Sequence, residues 1–583
     1  MTLRLFGAAL SVTLGLLAIA PAQAQRAPSA PEAASGLEPK TLATARRFMV
    51  AAANPIAVDA GVAILDAGGS AVDAMIAVQL VLNLVEPQSS GIGGGAFLVH
   101  YDATRRRLQS YDGRETAPAA AKPERFLKAD GTPRGFGEAV FGGESVGVPG
   151  VVSMMALAHR QHGRIPWARL FEPAIKIADE GFAVSPRLNK LLADMGAPAF
   201  EATARAHYFD TTGTARPVGY TLKTPEFAAT LRAIASGGEL AFYAGPIAEA
   251  IVKAVASAPN HRGDMTITDI NAYRAKERPV VCAPYRLHRV CGMGPPSSGG
   301  IAIGQMLQLL APTLLGTVPM NAPALHLIAE AQKLAYADRD RYVGDPDKVQ
   351  VPAGLLDARY LATRRQWIDA EKAKPKAEAG IPPGLTAQRA GLDATIESNG
   401  TSHVSIIDAR GNAVALTTTI ENAFGSRVMA AGFLLNNQLT DFSFLPKDKD
   451  GNAIANAVAG GKRPRSSMAP TIVLDPASRV KAVVGSPGGS RIILYVAKTV
   501  VGLIDWKLDP QTAVDLPNFG SRNGPLELEA GMTPLLLTVQ MQQRGHQVQP
   551  AEMTSGLHAI VRLPNGTLQG GADPRREGVA RGR

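Results

Sequence analysis

The chain has 583 residues, 46% hydrophobic and 19% charged, which excludes disorder and provides core material for one large or several smaller domains. Its 59 glycines and 42 prolines follow no period, so a collagen-like fold is excluded. A formal charge of +10 over this length, with no long Lys/Arg run and 5% aromatic residues, argues against a nucleic-acid binder.

Arg4 precedes an apolar stretch, Leu5 to Ala20, which is followed by Pro21-Ala22-Gln23-Ala24-Gln25. A positive start, a short apolar core and an A-x-A site predict a secretory signal peptide over 1–24, and hence a periplasmic or secreted protein. Ser11 and Thr13 interrupt the stretch, and it falls short of the roughly 20 residues a membrane span needs. Residues 25–40, rich in Ala, Pro and Ser, read as a flexible leader.

Residues 57–85 predict buried, Ala-rich helices broken at Gly68-Gly69. A Gly-rich loop then feeds AFLVHYD, which pairs with RLQSYDG as a hairpin. The region from about 150 to 340 reads as mainly helical, with clear helical spacing over 322–341. Cys282 and Cys291 are the only cysteines. An oxidising compartment permits a disulfide across a hairpin there, and two buried thiols are the alternative. Residues 369–400, rich in Ala, Lys and Pro, read as an exposed linker.

From 401 onward the chain turns strand-rich. SHVSIID and AVALTTTI form one predicted hairpin, TIVLD and VKAVVGS a second, HAIVRL and TLQGG a third. GSPGGSRIILYVAKTVV reads as a Gly loop entering a helix. Helices before and strands after predict layered α/β packing with both sheet faces covered. No repeat of 20–50 residues occurs.

Chemistry concentrates around Asn399-Gly400-Thr401-Ser402-His403, where linker meets strand. The Thr401 hydroxyl could attack the Gly400 carbonyl, and hydrolysis of the resulting ester would free a new N-terminus. The freed α-amine would then serve as base for its own hydroxyl. Its ordinary pKa, about 7.7–8.0, suits that task near neutrality. One of Thr417, Thr418 and Thr419, at the end of the partner strand, could hydrogen-bond the nucleophile; ordinary strand filling is the alternative. Gly488-Gly489 is either an oxyanion hole of exposed N–H groups or a tight turn. Arg114 could grip a carboxylate, and Glu421 and Asp441 an ammonium; together they would form an amino-acid zwitterion pocket. His403 reads as structural, since no G-x-S-x-G elbow or triad spacing supports it. No HExxH, DxDxDG or P-loop pattern occurs, so neither a metal nor a nucleotide cofactor is expected.

These residues fall within an ordered series of motifs: PQSSGIGGGAFLVHYD, YDGRETAP, SVGVPG, PPSSGGIAIGQML, YADRDRYVGDP, TSHVSIIDARGNAVALTTTIENAFGS, GFLLNNQLTDFS, KRPRSSMAPTIV, GSPGGSRI and ADPRREG. The series resembles the γ-glutamyltranspeptidase family of N-terminal nucleophile hydrolases over almost all of the chain beyond the leader. The resemblance implies an α/β fold, a four-layer αββα sandwich, made as one precursor. It implies a cut between Gly400 and Thr401 into a large chain, 25–400, and a small chain, 401–583, that stay together as a heterodimer. It implies transfer of the γ-glutamyl group of glutathione and related amides, through a Thr401 ester, to water or to amino acid and peptide acceptors.

By the same resemblance Thr401 is the nucleophile, Thr419 orients it, and Gly488 and Gly489 form the oxyanion hole. Arg114 binds the donor α-carboxylate with help from Ser466 and Ser467, while Gln438, Asp441 and Glu421 surround its α-amine. Many members carry a lid tyrosine after the position of Asp441. The segment FSFLPKDKDGNAIANAVAGG has neither Tyr nor Trp, only Phe442 and Phe444 nearby, which implies a more open site. Two other readings remain open at this point. One is a cephalosporin (glutaryl) acylase of the same superfamily; the other is an unprocessed periplasmic binding protein.

Overall fold

The computed structural model describes residues 34, 36–385, 390–395, 397 and 400–583. The expected signal peptide, most of the leader and Asn399 lie outside the described residues.

Two seven-stranded antiparallel sheets stack at the centre. The first runs Ala43–Ala45, Leu568–Ala572, His558–Arg562, Val480–Gly485, Thr471–Leu474, His288–Met293 and Val280–Tyr285. The second runs Val579–Gly582, Met49–Ala52, Ser402–Ile407, Ala413–Thr419, Gly95–Asp102, Arg107–Gly113 and Lys276–Arg278. Helices Gly299–Leu310, Ile492–Ile504 and Pro510–Asp515 cover the outer face of the first sheet. Helices Pro55–Asp66, Ala71–Val85 and Val151–His162 cover the second. The expected αββα sandwich is therefore present.

Local chemistry sets these elements. Asn54 caps Pro55–Asp66 by accepting from the Ile56 N–H, and Ser70 with Asp73 forms a capping box on Ala71–Val85. Gly61 lets the two helices touch, since a Cβ there would sit 2.6 Å from Val78. With sheets covered on both faces, strands read as near-continuous apolar runs. Parity still separates the faces. Val404, Ile406, Val414 and Leu416 pack into the helical layer. Ile407, Ala413 and Ala415 turn toward the other sheet, where Ser405 Oγ donates to the His558 carbonyl at 3.4 Å. Thr401 and Thr419 continue these inward rows at one end of the sandwich.

The hairpins expected in the second half form, with Ser402 opposite Thr418 in the first of them. The mainly helical reading of 150–340 omits Lys276–Met293, whose strands extend both sheets. Cys282 and Cys291 stand directly opposite in that hairpin and are bridged. The stretch 240–257 has the length and apolarity of a membrane span, yet it breaks at Gly245-Pro246 into two helices. Ile247, Ile251 and Val255 of the second helix are buried in the core.

The exposed-linker expectation for 369–400 is corrected in part: many of its described residues are exposed, but the segment is tied to the folded body. Its described residues are anchored: the Lys374 N–H donates to Glu330 at 3.1 Å, Ala377 and Ala379 are buried, and so is Glu397. Its composition is that of a linker, but its backbone and carboxylate groups find partners in the folded body.

Candidate active site

Every expected site residue except Gly488 lines one pocket at the inter-sheet end. Thr401, with Gly400 before it, immediately precedes the central strand Ser402–Ile407, and Thr419 ends its antiparallel neighbour. Thr419 Oγ donates to the carbonyl oxygen of Gly400 and accepts from the Glu421 N–H at 2.8 Å. Glu421 adopts a positive φ of 77°, uncommon for a residue other than glycine. Thr417 bonds His403 Nδ1 at 2.9 Å instead, so the choice among the three threonines falls on Thr419.

His403 is buried between the sheets and bonded to Thr417 and to Ser405, the latter at 3.0 Å; it does not line the pocket. Burial pushes its pKa well below the ordinary value, so it is neutral. Gly488 and Gly489 both take positive φ, 136° and 54°, at the turn into helix Ile492–Ile504. A Cβ on Gly488 would meet Tyr495 at 2.5 Å. Gly489 lines the pocket beside Thr401, whereas Gly488 lies behind it as part of the turn.

Arg114 is fully buried. Its Nη2 donates to Asp441 Oδ2 at 2.5 Å and to the Arg465 carbonyl at 2.9 Å; its Nε donates to the Pro464 carbonyl at 3.1 Å. Nη1 has no hydrogen-bond partner among the described residues. Glu115 lies 3.9 Å from that Nη1, but burial raises its pKa to about 8 despite Arg114. Asp441 is thus the anion that balances Arg114. Burial raises the Asp441 carboxyl to about 6, against the pull of Arg114. Gln438 Nε2 donates to the same Asp441 oxygen at 2.7 Å. Glu421 Oε2 accepts from Asn437 Nδ2, which also donates to Thr440 Oγ at 3.0 Å.

Ser466 and Ser467 close the far wall. Ser466 Oγ accepts from the Met468 N–H at 3.1 Å, and its carbonyl receives the Ser298 N–H at 2.7 Å. Ser467 Oγ accepts from Arg339 Nη2 at 2.6 Å and donates to Glu397 at 2.5 Å. Arg339 also donates from Nε to Ser298 at 2.9 Å. The motifs PPSSGG and YADRDRYVGDP therefore meet behind the serines and hold them.

Sequence reasoning missed Glu397, Arg339, Arg465 and Asn437. Arg339 and Arg465 lay inside quoted motifs but carried no assigned chemistry. Glu397 lay in the segment read as a linker, with its position four residues before Thr401 as the sole signal. Phe442 and Phe444, the aromatics nearest the position of a lid tyrosine, do not line the pocket. Phe442 is buried beside Leu439 and Val458, and Phe444 stacks on Phe126 at 4.6 Å.

The family model of Gamma-glutamyltranspeptidase matches residues 57–582. The chain belongs to the γ-glutamyltranspeptidase family. It is 37% identical over 566 residues to the glutathione hydrolase proenzyme of Escherichia coli strain K12, covering 95% of each chain. It is 34% identical over 553 residues to the acylase ACY 1 proenzyme of Pseudomonas sp. strain SE83, covering 93% of this chain and 94% of that one. Among solved structures, a cephalosporin acylase from Bacillus halodurans superposes with a TM-score of 0.81 at 28% identity, covering 94% and 97%.

Proposed function

We propose that this γ-glutamyltranspeptidase family member cuts itself between Gly400 and Thr401, and that Thr401 then cleaves γ-glutamyl amides such as glutathione. The γ-glutamyl group passes to water, or to an amino acid or short peptide, and no cofactor takes part. The observation that carries this reading is the convergence of Arg114, Asp441, Glu421 and Gln438 on the pocket that holds Thr401.

Self-cleavage starts with Thr401 Oγ adding to the Gly400 carbonyl carbon. Charge develops on the carbonyl oxygen that Thr419 Oγ already holds. The C–N bond breaks with a proton passing to nitrogen, leaving a Gly400 ester on Thr401. Water hydrolyses the ester, giving a large chain ending at Gly400 and a small chain beginning at Thr401.

In turnover, the new α-amine takes the proton from Thr401 Oγ as it adds to the donor γ-carbonyl. Gly489, with Gly488 shaping its turn, offers N–H to the oxyanion. Arg114 Nη1 reads the donor α-carboxylate, with Ser466 and Ser467 beside it. Asp441 and Glu421 read the ammonium, with Gln438 orienting Asp441. Gripping both charged ends places the γ-carbonyl at Thr401. The amine leaves with a proton, and water or an acceptor amine resolves the ester.

The acylase relatives favour a second reading, removal of glutaryl-type side chains. Glutaryl groups lack the α-amine, so Asp441 and Glu421 would then face nothing charged. An A-x-A signal and a formed Cys282–Cys291 bridge fit export to the periplasm or the medium.

Intact mass of the wild-type protein and of Thr401→Ala, with rates on γ-glutamyl-p-nitroanilide and on a glutaryl amide, tests the reading. Two masses meeting at Gly400–Thr401, an uncut variant and preference for the γ-glutamyl substrate are expected. A single uncut wild-type chain, inert to both, would leave the binding-protein reading standing.

A further inference from the structure

Glu397 lies four residues before the scissile bond, and its side chain is buried. Its carboxylate is held from three sides. Arg339 Nη2 donates to Oε1, Arg465 donates to the same oxygen from Nη2 at 3.2 Å and Nε at 3.4 Å, and Ser467 Oγ donates to Oε2 at 2.5 Å. Ser467 is one of the two serines assigned to the donor carboxylate, and Glu397 lines the same pocket as Arg114 and Thr401.

The chain is also fixed on either side of Glu397. Upstream, the Gly391 N–H donates to the Ala453 carbonyl at 2.8 Å, and Asp393 pairs with Arg465 at 3.1 Å. Downstream, the Gly400 carbonyl accepts from Thr419. At Gly400, a Cβ would stand 1.7 Å from the Glu421 carbonyl oxygen, so the chain there passes close against the Glu421 backbone.

A buried carboxylate is costly unless paired and hydrogen-bonded. Each arginine also has another carboxylate partner: Arg339 meets Asp340 at 2.5 Å, and Arg465 meets Asp393. A role in charge balance alone therefore leaves unexplained why this residue reaches into the pocket.

We propose that Glu397 is a positioning residue for self-cleavage, and that in the uncut chain its carboxylate occupies the end of the pocket that later receives the donor α-carboxylate. One set of groups, Ser467 with its supporting arginines, then serves twice. It first seats the chain's own side chain, so that the Gly400 carbonyl is presented to Thr401 Oγ. Cutting frees the segment on one side, and the donor takes its place. The occupancy half of this proposal rests on the γ-glutamyl reading; the positioning half does not.

Two measurements test it. In otherwise wild-type protein, Glu397→Ala and Glu397→Gln are expected to slow the appearance of the two cut masses by about 100-fold, the scale of a misplaced reacting group. Glu397→Asp is expected to recover part of that loss. In Thr401→Ala protein, which stays uncut, calorimetry with L-glutamate is expected to show at least tenfold tighter binding once Glu397→Ala or Glu397→Gln is added. A merely structural residue would weaken binding when removed, so the sign decides between the two roles. Circular-dichroism melts identify a variant that fails to fold, and the isosteric Gln variant then carries the test.

Wild-type cleavage rates in both Glu397 variants would overturn the positioning role. Equal L-glutamate affinity with and without Glu397, or no affinity in either uncut protein while the cut protein binds, would overturn the occupancy. Cut wild-type protein that ignores both L-glutamate and γ-glutamyl-p-nitroanilide would instead remove the functional reading, with the cleavage-rate result still standing.

Discussion

Thr419 Oγ donates its hydrogen bond to the carbonyl oxygen of Gly400, on the acyl side of the bond to Thr401. Two antiparallel central strands create this contact, because their inward rows end in Thr401 and Thr419. Thr419→Val keeps the shape and removes the donor. Self-cleavage in that variant is expected to slow by about 10²–10³-fold, the usual cost of losing one oxyanion donor. Thr419→Ser should stay within about tenfold of wild type, because the hydroxyl survives. Intact mass against time measures both.

Gly400→Ala tests steric fit at the same bond. The added methyl would fall 1.7 Å from the Glu421 carbonyl oxygen, and that atom belongs to backbone. The scissile carbonyl must move to make room, and a displacement of about 1 Å can cost about 100-fold. The variant is expected to accumulate as uncut chain with a lowered melting temperature. Prompt cutting of the alanine protein would show that the backbone at Glu421 yields.

Arg114 and Asp441 pair with each other at 2.5 Å, so the two poles of the zwitterion site neutralise one another before a donor arrives. Arg114→Lys keeps the charge but loses the fork that reaches Asp441 and the Pro464 and Arg465 carbonyls together. We expect kcat/KM for γ-glutamyl-p-nitroanilide to fall by about 100-fold, equivalent to about 3 kcal/mol of charge-assisted bonding.

The same pair sets a pH dependence. Burial raises the Asp441 carboxyl to about 6, so it loses its charge on falling through that pH rather than near the ordinary carboxylate value of 3.8. L-Glutamate affinity of the cut protein, read by calorimetry, should be flat above neutrality and weaken as pH falls through about 6. Asp441→Asn should bind weakly and without that step. An unchanged step in the variant would assign the titration elsewhere.

Phe442 and Phe444 turn away from Thr401 into a cluster with Phe126. With no aromatic ring from this segment over the pocket, water should keep reaching the Thr401 ester. The ratio of hydrolysis to transfer on γ-glutamyl-p-nitroanilide is expected to remain substantial as glycylglycine rises. Near-complete transfer at modest glycylglycine would show that another element excludes water.

Much of this site was readable because its chemistry coincides with strand ends. SHVSIID and AVALTTTI alternate clearly enough to place Thr401 near the three threonines, and Gly-Gly before an apolar helix marks the turn at 488–489. Which threonine faces Gly400 was not readable from the strand pattern, since it depends on how far the pairing extends; only the family resemblance singled out Thr419. Glu397 was hidden for a different reason. Linker-like composition reports how little a segment packs by itself, and says nothing of partners more than fifty residues away such as Arg339 and Arg465. A hairpin around Cys282 and Cys291 was allowed for, but the strand Lys276–Arg278 was submerged in a region read as helical because it is three residues long and wholly charged, KER.

Both sheets interleave segments from either side of Gly400. Met49–Ala52 lies between Val579–Gly582 and Ser402–Ile407, and Leu568–Ala572 lies between Ala43–Ala45 and His558–Arg562. Breaking one peptide bond leaves this weave intact, but it changes what unfolding means. Before the cut, one molecule can refold by itself; after it, two molecules must find each other, and recovery becomes second order in protein concentration. Each separated piece would carry bare strand edges prone to aggregation. Cut at the proposed bond, the enzyme would persist through a slow rate of coming apart rather than through a reversible equilibrium, and the full fold would have to be complete before the cut is made.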